Sequence, residues 1–139
     1  MPLNAAWGYL GRALLLCAVL ASPLGSSGDI SPPFGDINNT PANGSTVSGQ
    51  IPIDGWAFDS ISGTNVDLYV DNLLSASGSA NITRPDIAAS YPGAPPNPAF
   101  HFVLDTTQLT NAQHVIEVRA TDAAGNIGLL PYRIVTVNN

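Results

Sequence analysis

The chain has 139 residues, enough for one domain with a sizeable hydrophobic core. It carries ten acidic residues against four arginines and no lysine, and its net charge of −6 argues against a nucleic-acid partner, whose phosphates require cations. Only 10% of the residues are charged and 45% are hydrophobic, a composition that indicates a folded, extracellular β-rich protein and excludes a disordered one.

The N-terminal segment has the layout of a secretory signal peptide. Arg12 precedes an uninterrupted apolar run, residues 13–21, and Pro23 follows shortly after it. The run is too short to span a bilayer. We therefore predict a signal peptide over residues 1–21, cleaved between about residues 21 and 27, and a secreted protein, extracellular or periplasmic, with no membrane span in the mature chain.

The mature chain is predicted to contain a linker and one domain. Cys17, the single cysteine, lies inside the apolar run and would leave with the signal peptide, so no disulfide would stabilise the mature chain. Residues 22–33 are rich in Ser, Pro and Gly and predict a flexible linker. The folded domain is predicted over residues 34–139.

The domain is predicted to be an all-β immunoglobulin-like sandwich of about seven strands with one short helical insert. Apolar and polar residues alternate in short segments. Turn-forming residues separate these segments at intervals of roughly ten residues. Asp71-Asn72 predicts a hairpin turn, because both residue types tolerate positive φ. Residues 38–49 predict a loop, and residues 127–137 a single last strand. The predicted core consists of Ile51, Ile53, Ala57, Val66, Leu68, Phe100, Phe102, Leu104, Ile116 and Val118.

The helical insert is predicted within residues 84–93. Pro85 suits the first helical position and Asp86 the positively polarised helix start, whereas Pro92 prevents continuation. A helix of at most two turns is not stable alone. It must therefore gain stability by packing on the sandwich.

The packing of this insert is predicted from three side chains. Ile87 and Tyr91 lie four residues apart on one helical face and are expected to contact the sandwich. Arg84 is expected to bind a carboxylate, or carbonyl groups of the core sheet.

Seven segments of the chain, taken in order, form a specific pattern: Pro33–Ile37, Gly49–Ala57, Val66–Asp71, Arg84–Gly93, Phe100–Thr106, His114–Ile116 and Ala120–Asn126. Together they resemble a family of bacterial extracellular immunoglobulin-like domains. The resemblance covers residues 33–137 and implies a β-sandwich that occurs as a module of secreted or surface proteins and has no shared catalytic residues.

No catalytic constellation is marked by the sequence. His101 and His114 are its two histidines, and neither stands in a recognisable nucleophile or metal motif. We therefore predict that the protein is not an enzyme and has no catalytic residues and no organic cofactor.

Calcium is the one metal for which the sequence offers candidate ligands. Asp59 and Asp122 each end a predicted strand and Asn126 closes the following turn, so the sandwich could gather their oxygen atoms at one end. The alternative is that these side chains shape turns by hydrogen bonding to the backbone.

Aromatic residues supply the candidate ligand surface. Trp56, Tyr69, Tyr91 and Phe58 are predicted to form a platform for sugar rings, with the first three as the ligand surface. The alternative is that Trp56 and Tyr91 pack the insert against the sandwich.

These observations predict a secreted, non-enzymatic immunoglobulin-like module for extracellular or cell-surface interaction. Its partner would be a protein or a glycan at the cell surface. Two alternatives stay open, namely a carbohydrate-binding module and a structural spacer or remnant of a larger secreted protein.

Overall fold

The computed structural model describes residues 28–59 and 63–139, within which a compact unit extends from Ser31 to Asn139. The predicted signal peptide and its cleavage region lie outside the described residues. Along those residues the chain forms nine strands and one α-helix: β1 (Phe34–Ile37), β2 (Thr46–Val47), β3 (Gln50–Phe58), β4 (Asn65–Val70), β5 (Leu73–Ser79), α1 (Pro85–Ser90), β6 (Ala99–Asp105), β7 (Gln113–Thr121), β8 (Ile127–Leu129) and β9 (Arg133–Val137). A 3-10 turn, Thr106–Gln108, follows β6.

The strands form two sheets, which confirms the predicted sandwich. The smaller sheet has the order β1-β3-β6 and is antiparallel. The larger sheet has the order β2-β9-β7-β4-β5, and β8 also pairs with β7. Both sheets contribute to one buried apolar cluster, which includes every predicted core residue except Ile51; that side chain is partly buried and packs against the cluster.

The backbone confirms the predicted hairpin turn and contains one close approach between strands. Asp71 and Asn72 have φ angles of 50° and 66°, the left-handed conformation that a two-residue hairpin turn requires. Gly55 lies where a side chain cannot fit, because a Cβ there would stand 2.5 Å from Cζ of Phe100. The small residue on β3 thus allows a large ring of β6 to approach its backbone.

The C-terminal strand prediction was wrong in one respect. The segment predicted as one strand is divided into β8 and β9, with Pro131 between them. Proline has no N–H to donate to a ladder, so the pairing with β7 is interrupted there. Part of the predicted loop 38–49 is also a strand, because β2 pairs in parallel with β9.

Candidate functional site

The outer face of the smaller sheet carries a second apolar cluster. Trp56 and Phe58 of β3 alternate with Ala57, which belongs to the core, and therefore project from the opposite face of the strand. Ile87 of α1 packs against these two rings, and all three side chains are buried. The insert thus packs on the sandwich through Ile87, as its position on the helix predicts.

Four aromatic rings, from Phe34, Trp56, Phe58 and Tyr91, form the surface of this cluster, which we call the aromatic cap. The ring centroid of Phe34 lies 4.7 Å from that of Phe58, and the Tyr91 centroid lies 5.1 Å from that of Trp56. Trp56 and Phe58 are buried, whereas Phe34 is 49% exposed and Tyr91 37% exposed. Solvent therefore meets the outer two rings, which are 5.6 Å apart between centroids.

A groove of about 300 Å³ opens beside the two exposed rings. Its lining includes Pro32, Phe34, Asp59, Tyr91, Pro92 and Gly93. The carboxyl group of Asp59, which is buried, also lines this groove beside the aromatic faces. Sites that bind a neutral ligand with one apolar side are typically lined by aromatic ring faces and a few polar groups.

The structure brings together two of the three aromatic residues predicted for the ligand surface. Trp56 and Tyr91 meet in the aromatic cap, but Tyr69 lies on β4 in the other sheet, where the guanidinium carbon of Arg119 stands 3.8 Å from its ring centroid. Arg119 thus covers this ring with a cation–π contact.

Phe34 is the exposed ring that the sequence did not assign to this surface. It precedes the alternating strands and reads as the start of a short first strand. Its place follows from the pairing of β1 with β3, in which Phe34 stands opposite Phe58 and so shares its face of the sheet.

Arg84 binds a carboxylate, the first of its two expected partners, and not carbonyl groups of the core sheet. Its Nε and Nη2 each donate a 2.7 Å hydrogen bond to the carboxylate of Asp86, in the first turn of α1. This two-point contact lowers the pKa of Asp86 to about 2. The arginine therefore stabilises the start of the insert, while the apolar contact of Ile87 holds the insert on the sandwich.

The three predicted calcium ligands lie close together at the end of the sandwich where β3 and β7 stop. Asp122 accepts 2.9 Å hydrogen bonds from the backbone N–H and the side-chain Nδ2 of Asn126. Carboxylate oxygens of Asp59 and Asp122 lie within 4.8 Å of each other, and both side chains are buried. Asp122 therefore shapes the turn by hydrogen bonding to Asn126, and its carboxylate oxygens also lie close to those of Asp59.

The electrostatics of this acidic pair decide what it can hold. Burial alone raises the pKa of Asp122, but hydrogen bonds from Asn126 and Asp59 outweigh it, so that pKa lies below its ordinary value. Two buried carboxyl groups in contact must share a proton or a cation, because two adjacent negative charges repel. Carboxylates suit calcium, although Asn126 turns its amide nitrogen toward Asp122 and would need to rotate to offer its oxygen.

Both histidines lie against acidic residues. Nδ1 of His101 contacts a carboxylate oxygen of Asp54. For His114, Nδ1 lies 2.6 Å from Oδ2 of Asp71 and Nε2 lies 2.8 Å from the carbonyl oxygen of Thr110. Both nitrogens of His114 thus face acceptors, which fits the doubly protonated ring. The Asp71 hydrogen bond accordingly raises the pKa of His114.

The family model of the bacterial Ig domain matches residues 36–118 of this chain. The match covers more than half of the sequence, so the chain belongs to the family of bacterial Ig domains. No curated protein matches the sequence. Within the described residues, no helix is both long and apolar enough to cross a membrane.

Solved structures align with this chain at low sequence identity. An endo-β-1,4-mannanase from Thermotoga petrophila aligns with a TM-score of 0.55 and 16% identity, over 82% of this chain and 21% of its own. Fibronectin(III)-like modules of Clostridium thermocellum CbhA align with a TM-score of 0.47 and 18% identity, over 78% of this chain and 46% of theirs. The chain therefore spans about a fifth of the mannanase and less than half of the CbhA structure.

Proposed function

We propose that this bacterial Ig domain is a secreted, non-enzymatic module that binds an extracellular or cell-surface partner through the aromatic cap. The observation that carries the proposal is the exposure of Phe34 and Tyr91 beside a groove of about 300 Å³. Two large rings left in water next to a concave surface are typical of a recognition site, because covering them removes apolar area from solvent.

Carbohydrate binding is the second candidate, and the lining of the same groove favours it. A sugar ring has an apolar face that stacks on aromatic rings and hydroxyl groups that donate to carboxylates. Phe34 and Tyr91 offer the rings and Asp59 the acceptor. Asp59 shares a hydrogen bond with Asp122, whose pKa is lowered, so this acidic pair keeps a negative charge beside the groove. That charge disfavours anionic glycans, and a neutral glycan is the expected ligand.

The binding experiment uses the whole chain with neutral polysaccharides, a glycan array and isolated cell-surface proteins as probes. Tyr91→Ala should weaken binding by about tenfold or more, because it removes an exposed ring from the site. Tyr132→Ala is the matched control, since Tyr132 is a 58% exposed tyrosine outside the cap and its loss should change binding less than twofold.

The kind of probe that the chain binds distinguishes the candidate functions. Tyr91-dependent retention on a neutral glycan supports the carbohydrate-binding module, and Tyr91-dependent retention on a protein supports the protein-binding module. A chain that binds none of the probes would favour the structural spacer. Thermal melting of each variant distinguishes a lost contact from a lost fold.

Export is tested separately. N-terminal sequencing of protein recovered outside the cell should give a start between about residues 22 and 28, one residue beyond the predicted cleavage points. An intact N-terminus in the membrane fraction would instead show that residues 13–21 act as an anchor.

A further inference from the structure

A second exposed apolar surface lies where β5 of the larger sheet and β6 of the smaller sheet are both outermost, and we call it the open edge. Three large aliphatic side chains are exposed there: Leu73 is 73% exposed, Leu74 59% and Val103 57%. They surround a groove of about 430 Å³, a volume within the usual range of about 300–1,000 Å³ for binding clefts. This groove is separate from the one at the aromatic cap.

The backbone of β5 is available for pairing. Among the described strands β5 pairs with β4 and ends the order of the larger sheet. Its seven residues contain no charge and no proline, and all except Ala76 are exposed. Charges and prolines are the usual means by which proteins protect a sheet edge, so this strand keeps free N–H and C=O groups that another strand can bind.

The pairing of β4 with β5 also limits what can occupy the edge. Its register shifts between Leu68 and Tyr69, where β5 carries an extra residue, Ser75. Such a bulge increases the local twist and disfavours flat pairing between two folded domains. A single extended segment can follow that twist and enter the groove. A second folded sandwich is much thicker and cannot do so.

The charge of the groove indicates the composition of that segment. Its lining includes Asp71 and Asp105, and none of the arginines. Asp71 already binds His114 and the N–H of Val115. Within the described residues, the side chain of Asp105 accepts two hydrogen bonds, both from Thr107 and both at Oδ1. Oδ2 of Asp105 is therefore the acceptor that a partner's cation would meet. A second copy of this chain, with net charge −6, would instead bring further acids.

We propose that the open edge binds an extended peptide segment of another protein, which adds a strand to β5, places aliphatic side chains at alternate positions into the groove and sets a Lys or Arg against Asp105. Main-chain hydrogen bonds would supply much of the affinity, and the apolar groove and the acid would supply the sequence preference.

The probe is a synthetic peptide with Val at alternate positions, Thr between them and a Lys near each end. A matched peptide has Glu in place of each Lys. Titration of the isotope-labelled whole chain, followed by amide NMR, should shift resonances of residues 73–76 and 103–109 with the Lys peptide. The Glu peptide should bind at least tenfold more weakly.

Two variants test the location of the site. Val103→Lys should weaken binding of the Lys peptide at least tenfold, because it places a cation in the apolar groove. Ile127→Lys is the matched control, since Ile127 is 59% exposed on β8 and its change should alter binding less than twofold. Asp105→Asn keeps an oxygen for Thr107 but removes the charge, so it should abolish the preference for Lys over Glu. Asp105→Asn also keeps the proposal testable if Val103→Lys does not fold.

Four results would overturn the proposal. They are equal binding of the two peptides, resonance shifts confined to other surfaces, no binding of either peptide, or a self-association of the chain without peptide that Val103→Lys abolishes. The last result would identify a second copy of the chain as the occupant.

Discussion

The aromatic cap and the open edge expose apolar side chains for different structural reasons. At the cap, the insert between β5 and β6 folds over the outer face of the smaller sheet, so Trp56 and Phe58 are buried and two rings stay exposed. At the open edge no described element covers Leu73, Leu74 and Val103. The insert thus covers one apolar surface and leaves the other to solvent.

Because of this difference, the two regions should contribute differently to stability and to binding. Residues that the insert covers should contribute to the free energy of unfolding, because their burial removes apolar area from water. Residues at the open edge should contribute little to it and act mainly in binding. Paired substitutions at the two regions test this directly.

The largest effect is expected for two adjacent residues of β6 that point to opposite faces. Phe102 is buried in the core and Val103 is exposed at the open edge. Phe102→Ala should lower the free energy of unfolding by about 3–5 kcal/mol through loss of burial and creation of a cavity. Val103→Ala should change it by about 0.5 kcal/mol or less. Chemical denaturation measures both, and similar values would contradict the assigned faces.

A smaller but clear effect is expected at the insert. Ile87→Ala should lower the free energy of unfolding by about 2–4 kcal/mol, because Ile87 packs on Trp56 and Phe58. Leu73→Ala at the open edge is the matched truncation and should cost about 0.5 kcal/mol or less. If the two truncations change the unfolding midpoint equally, the insert does not stabilise the sandwich as proposed.

Calcium binding at Asp59, Asp122 and Asn126 stays a prediction. If calcium binds the folded chain, adding it should raise the melting temperature in a concentration-dependent way, by the linkage of binding to folding. Magnesium should have a smaller effect, because it gives up its water ligands reluctantly and demands near-ideal octahedral geometry, whereas calcium accepts flexible arrangements of oxygen ligands. Asp122→Asn should abolish the response to calcium. A melting temperature that calcium leaves unchanged would leave the turn-shaping role as the sufficient explanation.

The smallest expected effect is a pH dependence near the open edge. Hydrogen bonding to Asp71 raises the pKa of His114 above 6.5, so this stabilisation is complete below pH 6.5 and is lost as the pH rises through the folded-state value. Burial raises the pKa of Asp71, but hydrogen bonds from Val115 and His114 lower it below 3.8 overall. That contribution is therefore lost as the pH falls below 3.8.

Melting temperature measured against pH checks this window. Stability from the pair should be highest between about pH 4 and pH 6.5. Asp71→Asn should flatten the alkaline side of the profile, and asparagine suits the positive φ at this position. A profile of the variant with the same alkaline slope as the parent would assign the slope to another group.

Local sequence patterns determined the fold class of this protein. The period of two placed the core residues of β3, β4, β6 and β7, because alternate side chains of a strand must face the same side. The hairpin at Asp71-Asn72 and the start of α1 at Pro85 also followed from the sequence, because backbone conformation there depends on the residues themselves.

Contacts between distant segments were decided by the tertiary structure. Phe34 joins Tyr91 because β1 pairs with β3, and Tyr69 is separated from them because β4 belongs to the other sheet. The exposure of Leu73, Leu74 and Val103 likewise depends on which strands end each sheet. A strand's own residues define its two faces, but its neighbours decide which of those faces, and which edge, remains in water.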